Sequence, residues 1–247
     1  MFEHKYDFLK GKTAVVTGAA GGIGEAICLK LAEYGINMQL VGRNEAKLSA
    51  LADKLAGMGV KAAFMAGNLR DVSFVEAIIQ NTIEKFGGID ILVNNAGLAH
   101  HCPIEEMSLE EYDAIMETNV RAPYFLCRNS LAALRKSECA TIFNICSASS
   151  HKGYPEQSVY VASKHALLGF SKTLANEVYQ EGIRVHAISP GGVYTSMVTL
   201  VRPDLTDDGM IQPADIAQII AFLLENRKSN AVIDEVKVNR CTKAPFS

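Results

Sequence analysis

Short apolar runs alternate with amphipathic helical patterns along almost the whole chain, and that alternation leaves few folds open. The runs that read as strands are Thr13–Thr17, Met38–Val41, Ala62–Ala66, Ile89–Val93, Thr141–Ile145, Ile183–Ile188 and Val232–Val238. After the first run, Ile23, Ile27, Leu31 and Tyr34 fall on one helix face, which Gly35 ends; after the second, Leu48, Leu51, Ala52 and Leu55 do the same. A third helix is expected from about Asp71 to Phe86. Strands that alternate with helices are joined as parallel neighbours. The pattern predicts an α/β fold: a Rossmann-type, doubly wound sheet of about seven parallel strands with helices on both faces. With 247 residues, 49% of them hydrophobic and 21% charged, the chain can bury a large core. No repeat or linker divides it, so residues 1–247 read as one domain.

The boundaries carry their own signals. Ser108-Leu-Glu-Glu111 is a capping box that starts a long helix through Tyr112, Ile115, Met116 and Asn119 and on past Leu134. Pro213 opens another helix where a missing N–H costs little. The last strand mixes apolar and charged residues, which suits a sheet edge.

A net charge of −3 gives no general attraction to nucleic acid or to an anionic membrane. No apolar run reaches membrane-spanning length, and the first residues, MFEHKYDFLKGK, lack the apolar core of a signal peptide. The six cysteines form no Cys-x-x-Cys pair and no zinc spacing. Reduced thiols and a cytoplasmic location are expected. His100 and His101 beside Cys102 read as polar loop residues, and no metal is expected.

Two stretches carry chemistry. The first is the turn after Thr13–Thr17, Gly18-Ala-Ala-Gly-Gly22-Ile-Gly24, which opens a helix. Glycines there permit a tight turn and let backbone N–H groups approach a pyrophosphate at the helix N-terminus. The next strand ends in Gly42-Arg43-Asn44, with no carboxylate to bind a ribose 2′-hydroxyl. Arg43 suits a 2′-phosphate, so NADP(H) is the expected cofactor. A single cation gives only a modest preference, so NAD(H) use is also expected. The second stretch runs from Asn144 to Leu168. Tyr160 and Lys164 are one helical turn apart, and an ammonium beside a phenol favours the phenolate. Such a tyrosine can pass a proton to or from a carbonyl oxygen while the Ser147 hydroxyl holds that oxygen.

With these pieces in place, the chain resembles the short-chain dehydrogenase/reductase family from about Lys10 to Arg240. The motifs stand in family order: TGAAGGIG (Thr17–Gly24), NNAG (Asn94–Gly97), Asn119, Ser147, YVASK (Tyr160–Lys164) and PGGVYT (Pro190–Thr195). The resemblance implies Tyr160 as general acid/base, Ser147 as holder of the substrate oxygen, and Lys164 as ligand of the nicotinamide ribose. It implies Asn119 as the anchor of a proton-relaying water. It implies cofactor contacts from Gly18, Gly22, Ile23, Gly24, Asn68, Leu69, Asn95, Ala96, Gly97, Tyr160, Lys164, Pro190, Gly191, Val193 and Thr195. Three departures stand out: Asn68 where the family usually has Asp, Ser189 where it often has Asn, and no Gly-Gly segment after the last strand, where many relatives have one that builds a tetramer.

The function expected is hydride transfer between NADP(H) and a carbonyl or secondary alcohol of a small substrate. Leu98, Ala99, His100, His101, His151 and Tyr154 should rim its pocket, and the 17 residues between Thr195 and Pro213 should form a short lid. A 3-oxoacyl-(acyl-carrier-protein) reductase is the alternative. Its acidic partner would need a basic patch, for which Arg128, Arg135, Lys136 and Lys172 are candidates, with Glu138, Glu177 and Glu181 interleaved. A cofactor-binding regulator without turnover is the third reading. A homo-oligomer, dimer or tetramer, is expected through helices at about 109–136 and 157–181. The apolar Leu167, Leu168, Phe170, Leu174 and Val178 on the second helix extend beyond one face.

Overall fold

The computed structural model describes residues 6–195 and 206–243. Its strands are β1 (Thr13–Thr17), β2 (Asn37–Gly42), β3 (Ala62–Ala66), β4 (Ile91–Asn94), β5 (Thr141–Ile145), β6 (Arg184–Pro190) and β7 (Glu235–Val238). They form one seven-stranded sheet in the order β3-β2-β1-β4-β5-β6-β7, parallel throughout. The helices are α1 (Gly22–Ala32), α2 (Glu45–Gly57), α3 (Val72–Phe86), α4 (Leu109–Met116), α5 (Ala122–Leu134), α6 (Ser158–Val178) and α7 (Pro213–Glu225).

Successive strand residues face opposite layers. Ala14 and Val16 of β1 join the core under α1, α2 and α7, with Ile27, Leu48 and Ile220. Val15 joins the core under α3, α5 and α6, with Ile78, Leu126 and Leu174. Both faces are covered, so the inner strands are apolar almost without interruption. β1 pairs with both β2 and β4, Ala14 standing opposite Met38 and Ile91. The winding reverses between β1 and β4, which opens a crevice at the carboxyl ends of the strands.

Four details differ from the sequence reading. The capping box at Ser108 and Glu111 is present, but the long helix it opens is not uniform. Glu117–Arg121 is one π-helical segment between α4 and α5, and it carries Asn119. The first helix stops at Ala32, so Tyr34 lies past its end, with its hydroxyl on Glu225 of α7. β7 starts at Glu235: its pairing with β6 opens with Ala187 N–H donating to Asp234 O, and Val232 and Ile233 before it are exposed. Leu167, Leu168, Leu174 and Val178 are buried within their own chain, so packing there accounts for their spread around α6, while Phe170 is half-buried beside Tyr124. Residues 196–205 of the expected lid lie outside the described residues.

Candidate active site

The crevice starts at the β1–α1 turn. Gly18 has φ +63°, and a Cβ there would stand 2.9 Å from Asn95 Nδ2. Gly24 allows a closer approach still: a Cβ would meet Gly18 O at 2.1 Å. Gly21 caps α1 with no side-chain bond, and the amides of Gly22, Ile23 and Gly24 have no partner among the described residues. Unpartnered amides at a helix N-terminus, behind a surface kept free of side chains, fit a dinucleotide pyrophosphate. Thr17 fixes the turn against β4. Its hydroxyl accepts from the amides of Asn95 (3.0 Å) and Ala96 (3.1 Å), and Asn95 Nδ2 donates to Thr17 O (2.9 Å). Asn95 therefore holds the glycine turn with its side chain.

At the end of β2, Arg43 is exposed and has no ion-pair partner among the described residues. Asn68 is exposed after β3, and its side-chain oxygen accepts from Arg70 N–H (3.1 Å), while Leu69 is buried. Arg70 ties this loop to the π segment through Glu117 (2.7 Å) and also reaches Glu110 (3.0 Å).

On α6, Lys164 is 4% exposed, with Nζ donating to Ile145 O at 2.8 Å and lying 5.8 Å from the centre of the Tyr160 ring. An ammonium has three donors, so two remain for ligands. The Tyr160 hydroxyl has no hydrogen-bond partner among the described residues. Ser147 accepts from Ser149 N–H (3.1 Å) and keeps its own proton to donate. Asn119 is buried in the π turn. Its Oδ1 accepts from Leu98 N–H (2.8 Å), and its Nδ2 donates to Leu98 O (2.8 Å) and Ser163 Oγ (3.0 Å). Ser163 Oγ in turn donates to Tyr160 O (2.7 Å). Both amide donors are thus committed, and the side chain retains one lone pair on Oδ1. The space above Gly97 stands 3.5 Å from both Asn119 Oδ1 and Lys164 Nζ.

These groups face one cavity of about 770 Å³, bounded by Ser147, Tyr160, Lys164, Ile23, Asn95, Gly97, Pro190, Gly191, Val193 and Thr195. Ala99, His101, His151 and Tyr154 line it as expected, while Leu98 and His100 do not. Leu98 is held by Asn119, and His100 Nε2 lies 3.2 Å from Glu111 Oε1.

Residues 12–206 match the family model of the short chain dehydrogenases. The chain belongs to the short-chain dehydrogenase/reductase family. Like its family, it is an oxidoreductase that couples a nicotinamide cofactor to a carbonyl–alcohol pair. It is 30% identical over 238 residues to the 3-oxoacyl-(acyl-carrier-protein) reductase FabG of Staphylococcus aureus, covering 92% of this chain and 96% of the relative. Among solved structures, a dehydrogenase/reductase from Sinorhizobium meliloti 1021 superposes with a TM-score of 0.87 at 31% identity, covering 97% and 98% of the two chains. A metagenomic short-chain oxidoreductase in complex with NADP gives 0.83 at 31% identity, covering 96% and 100%.

Several residues of this short-chain dehydrogenase/reductase escaped the sequence reading. Asn94 Nδ2 donates to Asn144 Oδ1 (2.8 Å), and Asn144 Nδ2 donates to Ser171 Oγ (2.8 Å), which locks β4, β5 and α6 together beneath the site. Glu235 accepts from Ser189 Oγ (3.0 Å) and meets His151 Nε2 at 2.5 Å. A polar residue in an apolar strand, such as Asn144, was the visible signal for the first network. Nothing local links Glu235 to His151. Burial pushes the Cys146 thiol, next to Ser147, up to about 11, so it stays protonated at neutral pH. No helix among the described residues is long and apolar enough to cross a membrane.

Proposed function

We propose that the enzyme reduces a carbonyl group of a small substrate with NADPH, or oxidises the matching alcohol, with Tyr160 as the acid/base. The observation that carries this reading is the unpartnered Tyr160 hydroxyl facing the same cavity as Ser147 and Lys164. Ser147 donates to the substrate oxygen and positions it. Tyr160 gives that oxygen a proton in reduction and takes it in oxidation. The buried Lys164 ammonium stabilises negative charge on the phenol oxygen and keeps donors for a ribose. A water between Asn119 Oδ1 and Lys164 passes the proton onward. A bound nicotinamide supplies or accepts the hydride. Gly18, Gly22, Ile23 and Gly24 hold its pyrophosphate, Asn68 and Leu69 the adenine, and Ala96, Pro190, Gly191, Val193 and Thr195 the remainder. The test is oxidation of NADPH, followed at the nicotinamide absorbance, with a panel of ketones, sugars and β-ketoacyl thioesters.

Arg43 sets the preference for NADP(H) in this reading, since a hydrogen bond to a charged group contributes about 1.5–3 kcal/mol, roughly 10- to 150-fold in affinity. Arg43→Ala is expected to weaken NADPH by that factor and to leave NADH nearly unchanged. Adding Gly42→Asp reverses the preference through repulsion. A Cβ at Gly42 meets Leu48 Cδ2 at 3.4 Å, an ordinary contact, so the carboxylate can be accommodated. Dissociation constants at one salt concentration decide the matter; equal weakening of both cofactors sinks the role of Arg43.

The acyl-carrier-protein reading has less support. Arg135 is held by Glu181 through bonds of 2.8 and 3.0 Å, and Arg128 lies over the Phe125 ring. Two of the four cations expected to form a patch for an acidic carrier are thus engaged within the chain. We also infer a homo-oligomer, on a different ground from α6. Leu109, Tyr112 and Tyr124 on α4 and α5 are 75%, 43% and 49% exposed, a concentration of large apolar side chains on one helical run. Sedimentation at micromolar concentration should give at least a dimer; a monomer alone rejects this.

A further inference from the structure

The cavity carries a charge pattern that hydride transfer does not require. Besides Lys164, it is lined by Lys152, Lys237, Arg240 and Lys243, and by no Asp or Glu among the described residues. None of these four side chains forms an ion pair among the described residues. Arg240 is the least satisfied. Its Nε is buried without a hydrogen-bond partner, and its Nη1 donates only to Met210 Sδ at 3.2 Å, a weak acceptor. A guanidinium left this way is unfavourable unless an anion completes it. The carboxylate of Glu235 is engaged by His151 and Ser189.

The segment that holds Arg240 is well seated. Gly191 N–H donates to Val238 O (2.8 Å), Lys243 N–H donates to Arg240 O (3.0 Å), and a Cβ on Gly209, φ +63°, would stand 2.5 Å from Thr242 Cγ2. Arg240 Cδ lies 3.9 Å from where a Gly192 Cβ would be, beside the cavity wall formed by the end of β6. Lys237, Arg240 and Lys243 therefore sit on the β6–β7 side, and Lys152 lies in the loop between β5 and α6. The pyrophosphate turn is on β1, four strands from β7 in the sheet order, and its α1 end abuts Thr195 past the end of β6. Arg43 on β2 is farther still. A Cβ on Gly22 in that turn would have Thr195 and Pro213, and none of these cations, as its nearest neighbours.

We propose that the substrate carries an anionic group, a carboxylate or a phosphate, and that Arg240, supported by Lys237 and Lys243, holds it while Tyr160 faces the carbonyl. The planar guanidinium can take either group through two parallel N–H bonds. The proposal rests on the cavity being the site of carbonyl reduction, and it narrows the substrate class.

The test compares kcat/KM with NADPH for two matched pairs: acetoacetate against pentane-2,4-dione, and hydroxyacetone phosphate against hydroxyacetone. The anionic member of at least one pair should be favoured about 10- to 100-fold, and which pair responds separates carboxylate from phosphate. Arg240→Gln should remove about tenfold or more of that preference through KM, with the dissociation constant of NADPH within about twofold of wild type. Lys237→Gln, at an exposed position, is the second variant should Arg240→Gln fold poorly, and it should narrow the same preference. Equal use of charged and neutral members overturns the proposal. So does equal loss on both members, or a matching loss of NADPH affinity. Binding of acetoacetate and hydroxyacetone phosphate to the NADPH complex is measured alongside by thermal shift. Saturable binding that Arg240→Gln weakens, without reduction of any ketone, upholds the anion site and rejects carbonyl reduction. Reduction of neutral ketones with no anion binding does the reverse.

Discussion

Tyr160→Phe should reduce turnover by at least ~10²-fold while the protein still folds and still binds NADPH. The variant keeps the ring and loses only the hydroxyl. That hydroxyl has no partner among the described residues, so its removal leaves no buried group unsatisfied and little stability is at stake. The chemical step loses its proton donor, and a positioned general acid contributes about 10²–10⁴-fold. The helix is anchored elsewhere, by Ser163 on Tyr160 O and by Lys164 on Ile145 O, both of which remain. Turnover is measured at saturating NADPH on the best ketone found, and cofactor affinity by nicotinamide fluorescence. A variant with more than about a tenth of wild-type turnover would assign the proton transfer to another group.

Gly24→Ala acts on the fold and the cofactor site at once. The added methyl would lie 2.1 Å from Gly18 O, 2.8 Å from Gly18 C and 2.9 Å from Ala19 Cα. All three are backbone atoms, so no side-chain rotation relieves the contact. Either α1 lifts from the turn or the turn opens, and both displace the amides aimed at the pyrophosphate. Overpacking of this kind costs about 3 kcal/mol or more, a fall in Tm of roughly 6 °C or more for a chain of this size. NADPH binding should be lost with it. Gly57→Ala is the control, because a Cβ at the end of α2 meets nothing within 4 Å. Near wild-type Tm and NADPH affinity in Gly24→Ala would show that the close approach is not required.

The reasons for what the sequence revealed and what it concealed are physical. Parallel inner strands bury both faces, so their runs of apolar residues are visible in one dimension, and the seven strands were found within a few residues. The glycine turn was legible because backbone approach leaves a compositional trace. Tyr160 and Lys164 were legible because helical spacing is local. Arg240 was not: in sequence it is one charge in a mixed edge segment, and only the parallel pairing of β7 with β6 brings that segment to the cavity. The partnership of Glu235 with His151 joins residues 84 positions apart. The apolar spread of α6 has the converse cause, since a helix between a sheet and its neighbours buries more than one stripe.

The π turn at Glu117–Arg121 works as a phase shift. Each residue advances an α-helix by about 100°, so one wide turn lets a continuous rod present one azimuth before Asn119 and another after it. Ahead of the turn, the rod meets α6; beyond it, the rod meets α3. Deleting a single residue between Glu117 and Arg121 would restore uniform winding and rotate one half of the rod out of register with its neighbour. Asn119 could then no longer clasp Leu98 and Ser163 together. Across relatives of this enzyme, the length of that helix should therefore vary less than its composition.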